Sequence, residues 1–342
     1  MNHRILRRVL GALAVAVAGL VATASPAAAD PAGPTDYRSE VVRVDPVVAG
    51  IDVRIVGGDS FVLLRVTPGV TVDVVGYRGE PYLRFAADGT VERNEASPSR
   101  WLNDDRYGST TPPATATPEA EPDWRVVAAD GSYAWHDHRA HWMNPARPPG
   151  AEPGDTVLEA VIPLVVDGTE VAVHVRSVLL ARPTPVAAVV GALVGLALLA
   201  ASVAVARTTA PDRSPVGAPV VAAACALAVG LWAFGSVPAE TGPTSTLWTL
   251  PAAALLAAVG SHLGVRRGRL SRFGHDLLVA LTAVELGLWA WSRRGAVVRA
   301  AIPTDAPQWL DRATVAGVAT VAVGTLAVVG ATAAGDMARR GR

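Results

Sequence analysis

Residues 134–143 read Ala-Trp-His-Asp-His-Arg-Ala-His-Trp-Met and gather three of the chain's seven histidines with the one methionine between Met1 and Met337. Zinc, copper and nickel all accept imidazole nitrogen, so three neutral imidazoles this close in sequence make a metal grip. On an extended strand His136 and His138 leave the same face, and His141 joins them if the chain turns at Arg139 and Ala140. A nearby thioether, Met143, and an indole, Trp135 or Trp142, tilt the preference toward copper, especially Cu(I), with zinc as the alternative. Asp137 is the carboxylate within the cluster and counts as an auxiliary group beside Trp142. The same segment also suits a structural role, in which Asp137, Arg139 and backbone groups pair with the imidazoles while the tryptophans fill a core. A catalytic metal needs an open coordination position and a separately placed base, and the spacing names no such base.

The elements that must position these side chains read as β-structure. From Tyr37 to Arg182, short runs rich in β-branched residues are separated by Gly, Pro and Asp: 41–44, 51–56, 61–66, 70–75, 81–85, 124–127 and 132–136. Two longer runs, 157–166 and 169–180, flank Asp167-Gly168, a pair suited to a type I′ hairpin turn. Roughly nine strands without a convincing amphipathic helix predict a β-sandwich-like domain spanning residues 30–183, long enough for one core. Residues 103–123, rich in Thr and Pro, predict a mobile loop, because that composition buries little apolar surface. The histidines therefore fall between a strand and a Pro-rich loop, 144–155, where a rigid scaffold commonly presents binding groups.

The ends of the chain have a different character. Residues 1–29 carry Arg4, Arg7 and Arg8, an apolar run from Val9 to Val21 and Ala27-Ala28-Ala29 before Asp30, the pattern of a secretory signal peptide. After Pro183 come five apolar runs, 186–206, 216–235, 246–265, 275–292 and 313–334, each near the roughly 20 residues that cross a bilayer. Residues 184–342 thus predict an all-α bundle of five transmembrane helices. Nine arginines in the first, third and C-terminal connections (Arg207 and Arg213; Arg266, Arg267, Arg269 and Arg272; Arg339, Arg340 and Arg342) stand against four in the others. That bias predicts a plasma-membrane protein with its β domain extracytoplasmic and its C-terminus cytoplasmic.

Charge sharpens the division. Residues 30–183 hold 23 acidic residues and 14 arginines, a net of −9, which argues against nucleic acid as a partner. Residues 184–342 hold a net of +6, and the connection 293–312, with Arg293, Arg294, Arg299 and Arg312, carries +2. Two readings of that connection stand open: it docks against the acidic β domain, or Arg293 and Arg294 snorkel at the membrane edge. Glu285, near the middle of the fourth span, is the intramembrane polar group of interest. It is either part of an ion or proton path or a protonated carboxyl bonding Ser or Thr across helices. Gly191 and Gly195 permit close helix approach, and the lone Cys225 excludes a disulfide framework within the chain. No phosphate-binding Gly-rich loop, nucleophile turn, His-Glu-x-x-His or Cys-x-x-Cys is present, so the expectation is a protein that is not an enzyme.

The histidine stretch, Gly79-Glu80-Pro81-Tyr82-Leu83-Arg84-Phe85, and Trp101-Leu102-Asn103 with Arg106-Tyr107-Gly108 together resemble a group of uncharacterised actinobacterial envelope proteins. That resemblance implies a signal peptide, a β domain bearing Trp-His-Asp-His-Arg-x-His-Trp-Met and a C-terminal membrane bundle over nearly the whole chain. It implies no activity. In architecture alone the chain is similar to secreted copper-handling β domains fused to membrane segments, but it has no histidine at the expected mature N-terminus and no methionine-rich run. The functional expectation is an integral membrane protein whose extracytoplasmic β domain binds a transition metal, copper favoured, for metal handling or sensing. Its expected partners are the lipid bilayer and another envelope protein. The alternatives are a non-catalytic envelope scaffold or protein-interaction module, and a small-solute or ion transporter component resting on Glu285.

Overall fold

The computed structural model describes residues 31–210 and 213–340, so the signal-peptide expectation for residues 1–29 lies outside the described residues. Ten strands come first: β1 Tyr37–Asp45, β2 Ile51–Val56, β3 Phe61–Val66, β4 Val72–Val75, β5 Pro81–Phe85, β6 Val91–Asn94, β7 Trp124–Ala128, β8 Ser132–His136, β9 Thr156–Val166 and β10 Thr169–Leu179. They form two antiparallel sheets, one of seven strands in the order β1-β10-β9-β4-β5-β6-β7 and one of three in the order β2-β3-β8.

The core lies between the sheets. Along β10, Val171, Val173, Val175, Ser177 and Leu179 are buried while the residues between them are less so, the two-residue period of a sheet with one covered face. Val62 and Leu64 of β3 and Tyr133 and Trp135 of β8 meet them from the small sheet, with Val72, Leu83, Phe85 and Ile162. Full burial of each such side chain contributes about 1.5–3 kcal/mol. The β9–β10 turn is built as its residues predict: Asp167 and Gly168 both take positive φ (46° and 79°), and Val166 pairs with Thr169. Asp167 also ties this turn to the start of β4, accepting from Thr71 N at 2.8 Å and Thr71 Oγ1 at 3.0 Å.

Within the β domain the structure adds two elements to the expected set, strand β6 and a short helix, α1 (Pro98–Leu102). Ser97 caps α1 by accepting from Ser99 N at 3.1 Å, with Pro98 at the first helical position. Glu80, buried in the β4–β5 turn, accepts from the hydroxyls of Ser97 (2.8 Å) and Ser99 (2.6 Å) and so pins the helix to the large sheet.

Five long apolar helices follow: α2 Val186–Thr209, α3 Gly217–Gly235, α4 Thr246–Arg266, α5 Arg272–Ser292 and α7 Gln308–Arg340, with the short α6, Arg294–Val298, between the last two. All five are long and apolar enough to cross a membrane, which defines a multi-pass membrane protein. The Gly191/Gly195 pair works within the chain: a Cβ on Gly191 would sit 2.0 Å from Ala313 O, and one on Gly195 2.5 Å from Gly317 O. Only glycine lets α2 and α7 approach this closely. On α5, Trp289 donates to Leu247 O at 2.8 Å.

The end of the bundle that carries the α3–α4 and α5–α7 connections meets the β domain. Thr35 and Ala301 exchange two backbone hydrogen bonds (3.0 and 2.9 Å), and Ala32 N donates to Thr241 O at 2.9 Å. The basic connection thus does dock on the β domain, but through Arg299, which reaches Asp36. Arg293 is buried against Asp311, and Arg294 donates to Trp291 O while lying over its ring.

Candidate metal centre

Strand β8 brings the first histidine into place. Its register sets His136 beside Phe61 of β3, on the face of the small sheet turned away from the sandwich core, and the two rings lie 5.3 Å apart. The strand ends at His136 and the chain turns at once, with Ala140 N donating to Asp137 O at 2.9 Å. The turn centres on His138 and Arg139, one residue earlier than the sequence suggests, so His138 stands in the turn instead of on the strand, yet all three rings still converge. Centroids are 5.2 Å apart for His136 and His138, 4.8 Å for His136 and His141, and 5.7 Å for His138 and His141. One nitrogen from each ring lies within 4.8 Å of the others.

The hydrogen bonds around the rings determine which nitrogens remain free. His136 Nδ1 faces Asn103 O at 3.2 Å, His138 Nε2 faces Asp105 O at 2.8 Å, and His141 Nδ1 faces Trp142 O at 3.1 Å. A carbonyl oxygen only accepts, so each of these nitrogens carries the proton and the opposite nitrogen of each neutral ring keeps its lone pair. His136 Nε2 and His141 Nε2 are buried with no hydrogen-bond partner. Backbone carbonyls that fix the tautomer and leave a lone pair aimed elsewhere are the outer shell typical of metal-ligating histidines. Burial holds His136 down to a pKa of about 3, with His141, His138 and the Arg106 guanidinium adding to the effect. His141 is also held at about 3, by burial first and then by Arg106. Both rings are therefore neutral, the state in which imidazole binds a metal.

Two of the three carbonyls, Asn103 O and Asp105 O, come from the stretch expected to be a mobile loop, and its first residues are bound in place. Asn103 follows α1, where helix-end carbonyls lack partners within the helix. Its side chain accepts from the Tyr77 hydroxyl and donates to the Tyr82 hydroxyl at 3.2 Å. Asp105 gathers the next turn around its carboxylate, accepting from Tyr107 N, Ser109 N, Thr110 N and Thr110 Oγ1 at 2.7–3.0 Å. Burial works against this carboxylate, but those donors hold it well below the usual range. Arg106 pairs with the buried Asp59 (NH1–Oδ1, 2.8 Å), and Asp59 also accepts from Thr35 Oγ1 at 3.0 Å. Tyr77 completes the wall: its ring stacks on His138 at 13°, and its hydroxyl accepts from His138 N at 2.8 Å.

The remaining expected site residues fall into different roles. Asp137 is fully buried and engaged by Arg139 Nε (2.9 Å), Arg139 NH2 (2.8 Å) and Trp135 Nε1 (2.9 Å), so it anchors the turn. Met143 lies near the cluster: its Cε and the His138 ring both border Gly108, 3.0 and 3.2 Å from where a Cβ would stand. Trp142 turns its indole N–H to Ala146 O at 2.9 Å. Glu285 lies far along the chain in α5, buried, and its Oε2 has no hydrogen-bond partner, so the expected bond to Ser or Thr is not made by that oxygen. Comparison of the chain with protein families, with curated proteins and with solved structures finds no match.

Proposed function

We propose that this is a membrane-anchored metal-binding protein, with its β domain on the extracytoplasmic side holding one transition-metal ion through His136, His138 and His141. The observation that carries the reading is the pair of buried, unpartnered Nε2 atoms on His136 and His141 beside a third imidazole whose tautomer is likewise set by a carbonyl. Leaving two such nitrogens buried without partners costs stability, and a shared metal ion removes that cost. Ligand nitrogens around one ion stand about 3.4 Å apart for bonds of about 2.0–2.1 Å, a distance that small ring rotations reach from the spacing present.

Copper in its cuprous form suits the site better than zinc. The His136 and His141 rings are neutral, the one carboxylate of the cluster is taken by Arg139, and the Arg106 guanidinium stands near the rings. Each of these disfavours a doubly charged ion relative to a singly charged, soft one, and Met143 brings a soft donor close to His138. The role that follows is metal handling or sensing at the membrane. Support for the orientation comes from the arginine excess that the sequence places in the first, third and C-terminal connections.

The test is thermal unfolding of the full chain in detergent, titrated anaerobically with Cu(I) and separately with Zn(II). A ligand that binds only the folded state at 100 times its Kd stabilises by about 2.7 kcal/mol. Saturable stabilisation by Cu(I) supports the reading, and a larger effect from zinc replaces copper with zinc. No response to either metal leaves the β domain as an anchored recognition module.

A further inference from the structure

The bundle end remote from the β domain contains a cleft of about 920 Å³ between the end of α2, the start of α3 and the end of α4. Its walls are apolar and face outward: Val205, Val221 and Val259 are exposed at 60%, 42% and 37%. All three lie on helices long and apolar enough to cross a bilayer, and in a membrane these exposed walls would face lipid tails. Arg213, Arg266 and His262 line the same cleft. Among the described residues neither arginine has an ion-pair partner, and Asp276, an acid of this end, is engaged by Ser214 N at 3.1 Å and by Arg272. An apolar trough bordered by two guanidinium groups matches a molecule with an anionic head and an apolar tail.

We propose that this cleft is a binding site for an anionic glycerophospholipid, its phosphate held by Arg213 and Arg266 and an acyl chain lying along Val205, Val221 and Val259. Arginine suits the phosphate because its planar fork meets two oxygens at once. The apolar walls give the site its preference for lipid over free phosphate. The proposal is independent of the metal site.

The experiment uses the full chain, delipidated in detergent, with thermal unfolding and native mass spectrometry as readouts. Phosphatidylglycerol is expected to raise the melting temperature and persist as a bound adduct, while phosphatidylcholine and millimolar inorganic phosphate do neither. The R213A/R266A double variant is expected to lose roughly 30-fold in apparent phosphatidylglycerol affinity, since each surface arginine contributes roughly fivefold. Its melting temperature in phosphatidylcholine shows that it folds. An R207A/R269A variant, which removes the same charge outside the cleft, is expected to keep most of the affinity. Equal effects of the two lipids, a full response to inorganic phosphate, or equal losses in the two double variants would each overturn the proposal.

Discussion

Asp36 and Arg299 stand 263 residues apart in the chain and 2.9 Å apart in the fold, carboxylate Oδ2 to guanidinium NH1. The same carboxylate accepts from Ala300 N at 3.1 Å and pairs with Arg147 at 3.1 Å, in the loop that follows the histidines. Burial alone would raise its pKa, yet Arg147, the Ala300 amide and Arg299 hold it below the usual value. One buried carboxylate thus clasps the β domain, the loop after the metal centre and the bundle.

Asp36→Asn leaves two arginines without their counter-charge. Because Arg299 is half exposed, the expected loss is about 1–3 kcal/mol, less than for a fully buried pair. Limited proteolysis should cut faster within 293–308, and unchanged cleavage would show that the clasp does not hold the docking.

Gly108→Ala should disturb the metal centre directly. Gly108 has φ of +66°, and an added methyl would meet Met143 Cε at 3.0 Å and His138 Cε1 at 3.2 Å. Gly150→Ala provides the control, since φ is +76° there but no atom lies within 4 Å of the new Cβ. Both substitutions carry the left-handed backbone cost of about 1–2 kcal/mol. Only Gly108→Ala should also weaken metal binding, and equal metal affinity in the two variants would remove His138 and Met143 from the site.

Acid should destabilise the metal-free protein through its histidines. In the unfolded chain His136 and His141 titrate near 6.5, and in the folded protein near 3. Between those values the unfolded state binds more protons, so the stability present above about pH 6.5 is lost progressively as the pH falls toward 3. The melting temperature of the apo-protein should drop from pH 6.5 to 4, and an H136N/H141N variant should show a shallower slope. Identical slopes would mean that the two imidazoles are not held neutral by the fold.

Tyr77→Phe removes a hydroxyl that donates to Asn103 and accepts from His138 N. The expected cost is about 1–3 kcal/mol, from a half-buried amide and a buried side-chain oxygen that lose their partner. A melting temperature equal to wild type would show that the wall of the site does not depend on this hydroxyl.

The strongly patterned parts of the fold are legible in the residues. Alternation along β10, the Asp167-Gly168 turn and the five apolar runs each report a local period or a local steric demand. Strand β6 is not legible, because Val91-Glu92-Arg93-Asn94 has one apolar residue and is held by pairing, including the cross-strand Arg84–Glu92 ion pair at 2.6 Å. Helix α1 has only five residues, though Ser97-Pro98 is a usable start signal. At the candidate metal centre the three histidines lie within six residues and are readable, whereas Tyr77, Asn103, Asp105 and Arg106 arrive from loops with no spacing relation to them. Charge offers docking of the 293–312 connection as one of two readings, and the residue that carries it, Arg299, depends on where Asp36 comes to lie.

The most direct test is the metal content of the purified full chain after anaerobic loading with Cu(I) or Zn(II) and removal of excess ion, set beside that of the H136N/H141N variant. One tightly held ion per chain in the wild type, lost in the variant, is the result expected. No stoichiometric metal in the wild type, or equal retention in both proteins, would contradict the assignment of the three imidazoles as a metal centre.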